Sequence, residues 1–335
     1  MRLHSGRGGS FRWRLIAQLL RPAPSWPLAG LRIGAGAIAI VQALGLLPHL
    51  DALVGPYGIV QHPVDQLFTV EWLPRFDPAL NFLVSITGCL PETALRVLMI
   101  GYVALMMMLL AGCWTTSVKW LCWFAHLALK STGAAGSYGV SEFLNILFFY
   151  LALSPCGEVW SIDAMRRRRH RRFSWESGLL LLTLRLHLCA IYLSSGIGKA
   201  VGPMWWNGES IWRALIRERA AIYFSWLVFV PWLAALMGWW TLLVETGYGA
   251  AVWFPRTRWV WIGMTLLLHA GIAVFLGLWL FSATMMLLNF CAWAPVLQRD
   301  WRTLRQRRAN IDQKTRAISR RISRYWPVSI VSRKH

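Results

Sequence analysis

Five of the ionisable side chains within or at the edge of long apolar runs stand out: Arg185, His187, Lys199, Glu245 and His269. A charge at the centre of a membrane helix costs about 2.5–3.5 kcal/mol on insertion scales, so a group retained there is where chemistry is to be sought. The run LLLLTLRLHLCAIYLSSGIGKAVGPMWWNG carries three of them. A helix turns about 100° per residue, so positions seven apart nearly superimpose. Arg185, Tyr192 and Lys199 therefore share one face, with Cys189, Ser195 and Gly196 beside them and His187 opposite. Arg185 and Lys199 are about 21 Å apart along the axis. They cannot form one catalytic cluster, but they can mark two ends of a polar groove.

Lys199 falls where this run meets the outer surface. Gly196 and Gly198 leave room for a neighbouring backbone or a flat ligand, Gly202 and Pro203 break the helix, and Trp205 and Trp206 suit the interface. One reading makes Lys199 a general base, because apolar and aromatic walls weaken the preference of an amine for its charged form. The other makes it a snorkelling anchor at the end of a span. Arg185 either pairs with an acidic or imidazole neighbour, or snorkels inward, or orients an anionic or carbonyl oxygen. Glu245 needs a partner or a proton, and Arg185 or His269 is the natural one. His269, in TLLLHAGIAVF, has no charged sequence neighbour and reads as a hydrogen bonder between helices or as a ligand.

Other chemistries have no sequence basis. There is no H-x-x-x-H, no carboxylate pair at helical spacing and no Cys/His cluster, so no metal is expected. P-loop, G-x-G-x-x-G and G-x-S-x-G patterns are absent. The six cysteines have no C-x-x-C spacing and read as small buried hydrophobes.

The elements that position these groups follow from composition. The chain has 335 residues, of which 56% are hydrophobic and 15% charged, with 22 Trp and a net charge of +21. Soluble domains carry about a quarter charged residues. So low a content, so one-sided, excludes an ordinary soluble globule and a disordered chain, and predicts an all-α, polytopic helical bundle in a membrane. Runs near the length of about 20 residues that a bilayer demands fall at Ala29–Leu47, Leu95–Gly112, Val118–Leu129, Phe143–Trp160, Leu179–Gly198, Gly238–Phe254, Trp259–Gly277 and Leu278–Leu297. Ile222–Met237 is ambiguous, being apolar but interrupted by Pro231. Eight crossings place most of the Lys and Arg on one side and nine would move the basic C-terminal tail outside, so the positive-inside rule selects eight, with both termini cytoplasmic in a cell (inner) membrane.

Residues 1–28 read as a basic amphipathic segment on the membrane surface rather than a cleavable signal, 29–297 as the membrane domain, and 298–335 as a basic cytoplasmic tail. In the tail, Trp301, Leu304, Ile311, Ile318 and Ile322 recur at roughly helical spacing. That pattern suits an anionic inner leaflet better than nucleic acid. RRRRHRR at Arg166–Arg172 reads as a cytoplasmic anchor.

Three stretches, in order, carry a resemblance. IYLSSGIGKAVGPMWWNG has an aromatic residue, a small-residue turn, a lysine and G-P-x-W-x-x-G: Tyr192, Gly196, Lys199, Gly202, Pro203, Trp205 and Gly208. FLNILFFYLALSPCGEVWSID ends a span in Pro-Cys-Gly with a W-S-x-D-like exit. TLLVETGYGAAVWFPRTRW followed by LLLHAGIAVFLGLWLFSATMM places Glu245 and His269 in consecutive spans. Over roughly Ala29–Pro295 the chain resembles the HTTM family, the vitamin K-dependent γ-carboxylase-like transmembrane domain. The resemblance implies that Lys199 is the base that deprotonates a reduced quinone resembling vitamin K hydroquinone. In the carboxylase, reaction with oxygen then yields a strong base that removes a γ-proton from a substrate Glu, carbon dioxide adds, and the quinone leaves as an epoxide.

The chain departs from the carboxylase by lacking its large soluble domain. Val140 and Ser141 stand near the position of an outer-loop His, and Ser141 and Asn145 stand where many bacterial members have Asp and Arg. The leading expectation is a quinol-linked membrane enzyme with Lys199 as base and Arg185, Tyr192, Trp205, Glu245 and His269 lining the pocket. The alternatives are a non-enzymatic factor for maturation or export of a secreted peptide, and a small-molecule or proton-coupled transporter using Arg185 and Glu245.

Overall fold

The structure is a computed structural model that describes residues 21–54, 72–132, 138–167, 172–216 and 224–325. The amphipathic stretch at residues 11–20 lies outside the described residues, as does most of the arginine run at 166–172. The described chain is helical apart from one two-residue strand pair, β1 (Ala23–Pro24) with β2 (Phe173–Ser174), which is antiparallel.

The helices are α1 (Trp26–Leu46), α2 (Leu50–Val54), α3 (Asp77–Thr87), α4 (Pro91–Ala111), α5 (Thr115–Thr132), α6 (Gly139–Leu153) and α7 (Ile162–Arg166). After them come α8 (Trp175–Ala200), α9 (Pro203–Trp206), α10 (Glu209–Leu215), α11 (Pro231–Ala251), α12 (Arg258–Leu276) and α13 (Trp279–Tyr325). By length and composition, five of the helices are apolar enough to cross a membrane: α1 with its continuation to Leu53, α4, α8, α12 and α13. Leu121, Leu193, Leu267 and Val274 stand exposed. So many bare aliphatic groups suit lipid and not water. The chain is a helical membrane protein.

Helix bounds depart from the sequence reading by more than about one turn at three places. α6 stops at Leu153 instead of Trp160, because Ser154 precedes Pro155 and is extended, with ψ 156°. α11 begins at Pro231 instead of Gly238. A proline at the first helical position loses only an N–H that would be unpaired anyway. Pro231 therefore starts a helix where it had been read as an interruption, and the described part of the stretch, residues 224–237, is no separate long helix: Ser225–Phe229 is a 3₁₀ turn and residues 231–237 belong to α11. α13 runs past Leu297 to Tyr325.

Two compact units divide the chain at residue 293. In the first, α4 packs on α1 and α5, α6 packs on α1 and α5, and α11 packs on α8 and α12. Cations close several helix ends. Arg32, fully buried, donates from Nε to the Cys156 carbonyl (3.1 Å) and from its terminal nitrogens to the carbonyls of Leu109, Leu110 and Trp160. Those carbonyls include orphan acceptors at the end of α4, where a positive charge also suits the helix dipole. Gly112, φ 73°, makes this possible: a Cβ there would sit 2.7 Å from the Arg32 guanidinium. Lys119 Nζ donates to the Ser154 carbonyl (2.8 Å), and Arg258 donates to those of Val252 (2.7 Å) and Trp253 (2.8 Å). At the opposite polarity, the Asp163 carboxylate accepts from the Trp114 and Thr115 backbone N–H groups at the start of α5. In the second unit, residues 301–319 form an exposed helix with Trp301, Leu304, Ile311 and Ile318 uncovered.

Candidate functional site

The site is built by α8 and α11. They approach closely at Gly196, where a Cβ would lie 2.8 Å from the Thr246 backbone nitrogen. Only a residue without a side chain lets the helices come this near. One turn further along α8, the Lys199 ammonium reaches across to α11. Its Nζ lies 2.6 Å from Glu245 Oε2 and 2.5 Å from Ser195 Oγ, and 5.3 Å from the centroid of the Trp205 ring. The Lys199 side chain is 23% exposed and that of Glu245 9%. Each charge is therefore largely stripped of water, and each is matched by the other.

Trp205 owes its place to the helix break. α8 ends at Ala200, Gly202 turns extended, and Pro203 opens α9. Trp206 Nε1 donates back to the Ala200 carbonyl (2.8 Å) and Trp239 Nε1 to the Trp206 carbonyl (2.8 Å), which pins α9 against α11. Past Lys199, Leu215, Leu227 and Ala234 pack with Ile211, Trp212 and Phe275. Lys199 thus ends its own helix, but α9, α10 and the first turns of α11 carry the bundle further on that side.

One to two turns back along α8 is a second layer, and its proton directions can be read from the partners. Asn289 Nδ2 donates to the Met285 carbonyl (2.9 Å), which fixes the amide orientation. The same nitrogen donates to Tyr192 Oη (2.8 Å), and the Tyr248 hydroxyl donates to Asn289 Oδ1 (2.7 Å). Tyr192 Oη, which accepts from Asn289, lies 2.7 Å from His269 Nε2; donating its proton there leaves only His269 Nδ1 unpaired, whereas accepting from Nε2–H would strand the phenol proton as well. In a neutral imidazole the proton then sits on Nδ1. His269 Nδ1 is buried without a hydrogen-bond partner. An orphan donor in that position costs about 1–3 kcal/mol, unless an acceptor from elsewhere fills it.

The structure brings together five of the six candidates: Lys199, Glu245 and Trp205 in one layer, and Tyr192 and His269 in the next. It sets Arg185 apart. The Arg185 Nε donates to the Ala292 carbonyl (2.7 Å). Glu245, expected to pair with Arg185 or His269, is taken by Lys199, because Gly196 brings α11 to that end of α8. Arg185 and Glu245 thus do not meet in one groove. His187 pairs with the Tyr150 hydroxyl through Nδ1 (2.9 Å).

Three contributors had not been singled out as site residues. Ser195 had been noted only as a neighbour on the face. Tyr248 follows Glu245 by three positions and shares its face, and Asn289 is an amide in an otherwise apolar run, a signal that was available. Among the described residues, no group of three His, Cys, Asp or Glu side chains is placed to hold a metal ion. Comparison with family models, with curated proteins and with solved structures returned no match.

Proposed function

We propose that the chain is an eight-span protein of the cell (inner) membrane, of the HTTM kind, with both termini cytoplasmic. In this reading the Lys199–Glu245 pair is a proton-accepting site for a reduced quinone. The observation that carries it is the dehydrated pair itself, held between Ser195 and Trp205 beside a Tyr–Asn–Tyr–His chain that ends on an unfilled N–H.

The pair refines the role expected of Lys199. Lys199 Nζ donates to Glu245 Oε2, so the proton-accepting position of the pair is on the carboxylate. A substrate hydroxyl gives its proton to that carboxylate, directly or by way of Lys199, and the retained ammonium steadies the oxyanion left behind. His269 Nδ1–H supplies a donor for an acceptor oxygen, which is the chemistry of a quinone or quinol ring. Bound there, a reduced quinone supplies the reducing equivalents for a reaction with oxygen, as the resemblance implies. A secreted peptide or protein is the fitting acceptor of the product chemistry. The basic, apolar-striped helix at 301–319 suits an anionic inner leaflet.

The test is oxygen consumption with reduced naphthoquinone by the purified protein, by Lys199→Ala and by Glu245→Gln. Wild type consumes oxygen above the quinol's own autoxidation and both variants fall to that background. Equal rates in all three remove the enzyme reading. Topology is tested separately by reporter fusions at Gly208 and His335, which report opposite sides; a single side for both breaks the eight-span arrangement.

A further inference from the structure

A cavity of about 390 Å³ lies away from Lys199, where the end of α1, the start of α4, the end of α5 and the start of α6 meet. Its walls are mainly apolar, among them Leu46, Leu50, Phe76 and Leu95. At one edge stand Tyr102, His126 and Ser141, and Lys130, paired with Glu142 at 2.7 Å, also lines it. This volume is within the range of small-molecule pockets, and an apolar cavity with a few convergent polar groups is the usual form of one.

The polar edge has a defined polarity. His126 Nε2 lies 3.1 Å from the Ser141 backbone carbonyl, which only accepts, so the imidazole proton is on Nε2. His126 Nδ1 is then an acceptor, and the Tyr102 hydroxyl, 2.8 Å away, donates to it. Tyr102 is one of the residues lining the cavity, and with its proton committed to His126 its Oη is left as an acceptor only. His126 is 2% exposed and Tyr102 3%, so both belong to the cavity's wall and not to the protein's outer surface. An apolar molecule that brings its own O–H can donate to that oxygen, whereas one with only a carbonyl or ether cannot and must turn to other lining groups such as Gln42, Lys130 and Tyr138.

We infer that this cavity binds a small apolar alcohol or phenol, whose hydroxyl donates to Tyr102 Oη while its body fills the space between Leu46, Leu50, Phe76 and Leu95. The site is independent of the Lys199–Glu245 pair, since none of the residues of that pair lines it.

The experiment measures binding of 2-naphthol and of 2-methoxynaphthalene to the full chain in lipid nanodiscs, with empty nanodiscs subtracted. The two probes share a ring system, but only the first has a proton to donate. Saturable binding of 2-naphthol is expected, with 2-methoxynaphthalene weaker by about tenfold, the value of one buried hydrogen bond. Tyr102→Phe narrows that difference to near unity. Leu46→Trp, which fills the cavity and leaves the hydrogen-bonded edge in place, removes saturable binding of both probes, and its unfolding profile checks that the bundle is intact. The signal assigned to this cavity is the part that Leu46→Trp removes, so a failed quinol assay leaves this result standing. Equal affinity for the two probes, or binding unchanged in a folded Leu46→Trp variant, overturns the inference.

Discussion

Removing one member of the Lys199–Glu245 pair tests whether the two charges support each other. The perturbations are Lys199→Met, Glu245→Gln and the double substitution. Truncating one partner of a buried ion pair costs about 3–5 kcal/mol, mainly because the other charge is left buried alone. Here the two survivors differ. Lys199→Met strands a carboxylate that is 9% exposed, so a loss near the lower end, about 3 kcal/mol, is expected. Glu245→Gln strands an ammonium that is 23% exposed and still has Ser195 Oγ, the Trp205 face and the glutamine oxygen, so the loss is about 1–2 kcal/mol. The double variant buries no charge and loses less than the sum, leaving a coupling of about 2 kcal/mol. The assay is reversible unfolding of purified protein in mixed micelles by increasing SDS fraction, read by tryptophan fluorescence. Strictly additive single losses, or a larger loss for Glu245→Gln than for Lys199→Met, would refute the account of a mutually dependent pair.

Three further outcomes follow from other parts of the fold. Gly196→Ala puts a methyl group 2.8 Å from the Thr246 nitrogen; α8 and α11 separate at a cost of about 1–3 kcal/mol, seen in the same unfolding assay together with loss of Lys199-dependent oxygen uptake. Arg32→Met leaves the carbonyls of Leu109, Leu110, Cys156 and Trp160 without their donor and costs about 3–5 kcal/mol, read as a lower folded yield and earlier melting; stability equal to wild type would show that these acceptors have other partners. Asp163 is raised by partial burial, but hydrogen bonds from Thr115 and Trp114 and the Arg167 charge outweigh this and hold its carboxyl below the ordinary carboxylate range. Its contribution is therefore complete above about pH 4 and is lost as pH falls through the lowered value. Asp163→Asn should destabilise by about 1 kcal/mol or less, being a capping change on a partly buried group at the protein surface, with the difference from wild type shrinking in acid; a difference that grows as pH falls contradicts the capping role.

The helices could be read because apolar length is a local property. A segment without charges over five or six turns meets the bilayer requirement whatever its neighbours are. The face shared by Tyr192 and Lys199 is equally local, because it depends only on helical period. Pro231 and Pro155 show the limit of that reading. Each is a breaker in isolation, but whether it starts a helix or ends one depends on the chain around it, and both moved a boundary by about two turns.

Partner choice was not local. Arg185 and His269 were the expected partners of Glu245, and nothing along the chain points to Lys199 instead. The distinction comes from Gly196, whose missing side chain lets Thr246 and Glu245 settle against one end of α8 and not the other. Arg32 is not singled out by its sequence, yet it is buried on the carbonyls that end α4 and follow α6, because a helix end without water takes a donor from wherever packing supplies one. Residue types and helical period thus dictate the spans and the groups that carry charge within them. Which of those groups meet is a matter of interhelical distance, and that depends on small residues whose effect appears only when two helices are laid side by side.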